Sequence, residues 1–394
     1  MRAFRFWNSL WVALAIVLAS CDDEVASSDG GQRADAAVDG GALRDGGARH
    51  DGGSLVDGGG LVDGGRLVDG GGRDDGGGLD DGGPPLDVIG PTITAFIPSG
   101  PITVTSGMTI EGLHITSTTG PCIRGSNVSN VRITNNRIGP CAPDANGNGI
   151  ALERAHDVRI DHNYFDDIAT GFYMGGFGEA GQDNLVFDHN RVERVRGPRA
   201  RGQMVQFNQV NGSGNRVVCN ISDQTTPGYL AGPEDHISMF GSSGTPDSPI
   251  FVAYNKLRGG GPSQSGGGAL AGDYGGSYVT IQGNILVNPG QYGLAIAGGT
   301  HHRILDNIVY SPDSFEWSNV GMVVWGQGDT TDPSTCNNHE VRRNRVAFRH
   351  RDGYPNGAWN AGNCGPVAGW DDDNDFTDTM LTAAVWDTVI PACL

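Results

Sequence analysis

The chain has 394 residues, 65 of them glycine, with 45 acidic against 26 basic side chains and a formal net charge of −19. That balance excludes charge-driven binding to nucleic acid or to an anionic lipid surface. Lys256 is the single lysine. Chemistry that needs a lysine base therefore has one candidate, which directly follows Asn255 in a repeat described below and reads as structural.

The N-terminus begins with the basic stretch Met1-Arg-Ala-Phe-Arg5, followed by an apolar run from Leu10 to Leu18. The run is too short to span a bilayer and has the length of a signal-peptide core. It ends in Leu18-Ala-Ser-Cys21, which resembles the lipobox of bacterial lipoproteins. The resemblance implies a signal peptide over residues 1–20 and lipidation of Cys21. The expected location is the bacterial cell envelope, at the periplasmic or outer-membrane surface. The membrane is then a partner through several acyl chains alone, which anchor stably where one does not.

Residues 21–87 have a different composition. Asp-Gly-Gly recurs at Asp39, Asp45, Asp51, Asp57, Asp63, Asp69, Asp75 and Asp81, a strict six-residue period. Each unit offers too few apolar side chains to offset the entropy of ordering. The segment is expected to be a disordered, self-repelling linker with a mean reach of about 45 Å as a coil. It holds 16 acidic and 5 basic side chains, a net of −11; with +2 from Arg2 and Arg5, that leaves −10 on residues 88–394.

From about Thr92 onward, short alternating strands close on asparagine. Val131-Arg-Ile-Thr-Asn-Asn136, Val158-Arg-Ile-Asp-His-Asn163, Leu185-Val-Phe-Asp-His-Asn190 and Val279-Thr-Ile-Gln-Gly-Asn284 are the clearest copies, with looser ones at Asn220, Asn255, Asn307 and Asn344. Alternation means strand, and asparagine at one fixed turn means coils stacked as a solenoid. This pattern resembles the right-handed parallel β-helix proteins, the pectate-lyase-like superfamily. The resemblance implies an all-β solenoid over residues 88–370, with residues 371–394 as a C-terminal cap over the last coil. It does not choose among the lyases, hydrolases, epimerases and adhesins built on that fold.

Six cysteines remain after Cys21, an even number that reads as disulfides in an exported chain. Cys122 with Cys141 and Cys336 with Cys364 are the expected pairs; Cys219 and Cys393 are left unassigned. Zinc is disfavoured because no two of these cysteines have the C-x2-C or C-x4-C spacing, and no metal site is assigned. Asp371-Asp-Asp-Asn-Asp375 would suit calcium but lacks the EF-hand spacing and reads better as a solvated turn.

Candidate sites follow from aligning the first strand of each coil. Ile150, Phe172, Met204, Ile237, Leu270, Leu294 and Met322 are expected to point inward, with their neighbours pointing outward. The outward residues Ala269, Ala271, Gly293, Ala295 and Ala297 would form a shallow floor for an extended polymer. Beside it stands Pro233-Glu-Asp-His236. In this alignment His236 neighbours Gln203, Arg201 neighbours Glu234, and Asp273 neighbours Phe240. Tyr173, Tyr274 and Trp325 would border the floor. The run Arg191, Arg194, Arg196, Arg199 and Arg201 would suit the carboxylate or sulfate groups of acidic sugars.

The leading expectation is a monomeric enzyme that acts on an acidic polysaccharide by removing the proton next to a uronate carboxylate. His236 would be the base, Arg201 or Arg199 the charge neutraliser and Tyr274 the acid. A glycoside hydrolase using Glu234, Asp235 or Asp273 is the second reading. The third is a non-catalytic module that holds a glycan.

Overall fold

The computed structural model describes residues 88–393, apart from 198–201, 227–231, 264–265 and 328–334. The expected signal peptide, the lipidation site Cys21, the linker, Arg199 and Arg201 lie outside the described residues.

The described strands form three long parallel sheets of ten, ten and nine strands, and each full coil contributes one strand to each sheet. The coil of Ile150 shows the pattern. Ile150–Glu153 belongs to the sheet termed B here, His156–Asp161 to sheet C and Tyr164–Ile168 to sheet A. The next coil repeats it with Phe172–Gly175, Leu185–Asp188 and Arg191–Val195. Alternation turns every second side chain inward, so like positions stack. In sheet C, Ile133, Ile160, Phe187, Val217, Val252, Ile281, Ile304 and Val341 form one continuous buried column.

The corner between sheets C and A carries the asparagine column. Asn163 is fully buried; its backbone N–H and side-chain Nδ2 both donate to Oδ1 of Asn190, each at 3.0 Å. Its Nδ2 also donates to the carbonyls of Ile133 and Asp161. The pattern recurs from Asn136 to Asn344, and Asn374 continues it. The left-handed residue at this turn is the one before the asparagine. His162, His189, Cys219 and Tyr254 have φ of 54°, 54°, 57° and 59°. This frees the asparagine side chain to point into the stack.

The C-terminal segment departs from the expected cap. Asp375 pairs with Arg345 on the last coil, but the chain then runs back along the outside of sheet A. The short helix Ala383–Asp387 lies on the strands Ile285–Val287 and Ile308–Ser311. The Trp386 ring sits 4.3 Å from the Arg258 guanidinium, and its carbonyl accepts from Lys256 Nζ at 2.8 Å. Lys256 is therefore bound up in the architecture. Cys393 ends the strap in a disulfide with Cys219, 174 residues away in sequence. Cys122–Cys141 and Cys336–Cys364 also form.

Two outcomes follow for stability. Changing Asn220 to Asp places an acceptor against the carbonyls of Phe187 and Val218, and equilibrium denaturation should show a loss of about 3 kcal/mol or more. Replacing both Cys219 and Cys393 by serine should destabilise the domain more than the same change at Cys122 and Cys141. In the chain-entropy model the 174-residue loop outweighs the 19-residue one by about 2 kcal/mol.

Candidate functional site

The outer face of sheet B carries a groove at its N-terminal coils. Its central outward column reads Arg124, Ala151, Tyr173, Gln206, Ser238, Leu270, Ala295 and Val323. This differs by one residue from the expected alignment in two coils. Phe172 pairs with Val205 and Ile237 with Ala269, so Leu270 faces outward while Ala269 and Ala271 face the main core. A one-residue slip exchanges the faces of a whole strand. The expected small-residue floor is therefore not open. Ala271 is internal, and Ala295 and Ala297 are covered within a second apolar cluster that holds Leu270, Tyr292, Val320 and Val323, with Trp325 packed against it.

His236 also takes the opposite direction from the one expected. It is fully buried, and its Nδ1 lies 2.8 Å from Ser222 Oγ. Ser222 shares an inward column of sheet A with Val192 and Leu257. Glycines in neighbouring coils confirm the direction: a Cβ on Gly268 or Gly293 would strike the inward Leu286 or Val309. Burial pushes the His236 pKa down to about 4. A neutral core imidazole cannot touch a polymer outside the sheet, so His236 is a packing residue in this structure.

Glu234, Asp235, Gln203 and Tyr292 do converge, at the sheet B edge of the loops from A to B. Asp235 is buried; the Tyr292 hydroxyl and the Gly267 N–H both donate to its Oδ1. A Cβ on Gly267 would come within 2.7 Å of the Tyr292 ring, so a glycine there lets the ring reach across a coil. Burial, and then the charge of Glu234, hold the Asp235 carboxyl well above its usual range. Gln203 Nε2 donates to Glu234 at 3.4 Å, and Thr170 Oγ1 donates to Gln203 at 3.0 Å.

Asp273 sits beside Gly241, whose N–H donates to its carbonyl, one position from the expected Phe240. Tyr274 is 71% exposed and stacks on Phe240 with ring centroids 5.1 Å apart. The described arginines of the basic run have internal carboxylate partners. Arg191 pairs with Glu193, Arg194 with Asp166 and Arg196 with Asp167.

The open part of the face lies towards the N-terminal coils, where a groove of about 460 Å³ is lined by Arg124, Asn146, Asn148, Glu153 and Tyr173 among others. The Arg124 guanidinium is exposed and donates to Thr103 Oγ1 at 3.3 Å. The Tyr173 hydroxyl accepts from Asn208 Nδ2 at 3.0 Å. Of these, sequence reasoning had singled out Tyr173 alone. Arg124 belongs to the coil before the first one aligned, while Asn148 lies one residue before and Glu153 one residue past the aligned core of the Ile150 coil. Carrying the alternation one coil upstream and one residue further would have put Arg124 and Glu153 on the outer face.

Residues 101–253 match the family model described as right handed beta helix region. The domain is a right-handed parallel β-helix. It is similar to a solved alginate lyase from Paenibacillus sp. str. FPU-7 at 15% identity and a TM-score of 0.36, covering 70% of this chain and 84% of that one. No curated protein matches.

Elsewhere on the β-helix, Cys336, Cys364 and His339 come together. His339 Nδ1 accepts the His302 N–H at 3.2 Å, so its proton sits on Nε2. That nitrogen faces Cys336 Sγ at 3.4 Å as a donor, and the sulfur is already in a disulfide. Of the acidic turn considered for calcium, Asp373 pairs with Arg342 at 3.3 Å and Asp375 caps the Thr377 N–H.

His302 and His339 share the condition of His236. Burial depresses their pKa values to about 3 and about 4. Each folded value lies below the ordinary one near 6.5, so each histidine favours the folded state above pH 6.5, and that stability fades as pH falls towards 4. Denaturation between pH 6.5 and 4.5 should show stability dropping by up to about 4 kcal/mol per pH unit. Changing His236 to Asn should reduce that slope by about a third; an unchanged slope would mean that His236 is not neutral in the fold.

Proposed function

We propose that the domain binds an acidic polysaccharide along the outer face of sheet B and acts on it by abstracting a proton next to a uronate carboxylate. The carrying observation is the open groove in which the exposed Arg124 guanidinium and the Tyr173 phenol share one outward column. A guanidinium grips a carboxylate in a bidentate manner and neutralises it, which acidifies the neighbouring C–H. Tyr173, held by Asn208, is the group placed to move the proton. The reading includes the lipid anchor at Cys21, which would hold the domain at the cell envelope, where such polymers occur.

Hydrolysis is less well supported. Glu153 offers an open carboxylate, and burial raises the proton affinity of the Asp235 carboxyl. Their strands are three spacings apart, roughly 14 Å, whereas a glycosidase pair spans about 5–9.5 Å. Asp235 also lies beneath Tyr292.

The purified full chain, incubated with polygalacturonate, alginate and neutral glucans, should raise ultraviolet absorbance from unsaturated uronate products on an acidic polymer only. Arg124→Gln should lower kcat/KM by about 100-fold through loss of the charge-assisted bonds and leave the thermal midpoint unchanged. Reducing ends without absorbance would move the assignment to hydrolysis. Silence in both channels, with the polymer still bound, would leave a binding module or an epimerase, which NMR of the recovered polymer separates.

A further inference from the structure

Two side chains on this face have a hydrogen-bonding deficit that the fold does not explain. Asn148 is 5% exposed and Gln206 is 8% exposed, and the buried atoms Asn148 Oδ1 and Gln206 Oε1 accept no hydrogen bond. Neither side-chain nitrogen has a partner among the described residues either, so each amide stands with hydrogen-bonding capacity unused inside the fold. A buried, unpaired amide costs about 1–3 kcal/mol and persists in a native structure for a reason.

Their placement supplies one. Asn148 lines the groove, and Gln206 sits one strand beyond Tyr173 in the same outward column. The two amides therefore flank the Tyr173 coil, about 10 Å apart across the sheet and, being three residues out of register, about 10 Å apart along the strands, a diagonal that a short oligosaccharide covers. An amide offers an acceptor and two donors, the complement of sugar hydroxyls, which both give and accept.

We propose that Asn148 and Gln206 form a subsite that recognises hydroxyl groups on two nearby pyranose residues of the polysaccharide. The assignment rests on the polysaccharide reading above and adds a requirement to it. Arg124 selects the acidic residue, while the amides select neighbours whose ring hydroxyls are free. Polymers acetylated at those hydroxyls are excluded, because an ester has no proton to give Oδ1 or Oε1 and is bulkier.

The test uses apolar isosteres in the full chain, Asn148→Leu and Gln206→Met. A residue that serves the fold loses stability on such a change. One kept for a ligand is neutral or gains stability when its unpaired group is removed. The expected result is a thermal midpoint equal to or above that of the parent chain, with affinity for unmodified polygalacturonate or alginate at least 10-fold weaker. In parallel, side-chain amide NMR signals that vanish in each variant should shift when oligomers of the bound polymer are added to the parent chain. Unchanged affinity, or amide signals that do not move, overturns the proposal and leaves the two groups solvated by water alone, whatever the midpoint does. Binding of neutral glucan or xylan but not of uronate polymers sinks the acidic-polymer reading; the subsite then stands if the variants lose that binding. A parent chain that retains no polysaccharide at all overturns both.

Discussion

Each coil of this domain must return its chain to within one strand spacing of where it began, and the buried asparagine column fixes that return. An unpaired amide at the corner between sheets C and A would be costly, because no water reaches it. Each asparagine instead receives two donors at its oxygen and gives its nitrogen to carbonyls of its own coil and the preceding one. The bonds are local in space and distant in sequence, so one wrong register disturbs two coils. Loops may vary in length elsewhere because this corner does not.

The same corner also gathers the two ends of the domain. Near the start, the Gly90 N–H donates to the His189 carbonyl, and the Thr92 hydroxyl reaches Asn135 Oδ1. At the far end, Cys393 is bonded to Cys219. His189 and Cys219 hold the same left-handed position on adjacent coils. The chain leaves and returns beside one middle turn, so the solenoid is clamped along its length as well as at its tips. Sheet B lies across the coil from this corner.

Sheet C and the asparagine corner were legible in the sequence because their strands end at a residue with one chemical task. Asn136 to Asn344 read correctly as one column, and the alternation that starts at Val131 or Leu185 coincides with buried apolar side chains. Sheet B has no such marker. Its strands begin after loops of uneven length, and at the bend from sheet A two successive residues turn inward. Met204 and Val205 are both buried, as are His236 and Ile237. Simple alternation cannot represent that bend, so the register slipped by one and His236 appeared to face outward. The strap was illegible for a different reason: the partner of Cys219 is set by where residues 377–393 run, and no period in the sequence records it.

The outer face of sheet B divides into two chemically distinct halves, and the division decides where a ligand fits. From Leu270 to Val323 its residues are apolar and covered, so they add to stability and offer nothing to a hydrated polymer. From Arg124 to Ser238 all but Ala151 are polar; Arg124 and Tyr173 line the groove, and Gln206 is buried with an unpaired amide oxygen. Asp235 and Tyr292 stand at the boundary, where a neutral acid and a phenol satisfy one another without charge. A charged carboxylate there would sit against Tyr292, whose ring packs with Leu270 and Ala295 in the apolar half. Keeping that pair neutral confines both the wet surface and the unpaired amides to the N-terminal half, where Arg124 and Tyr173 stand.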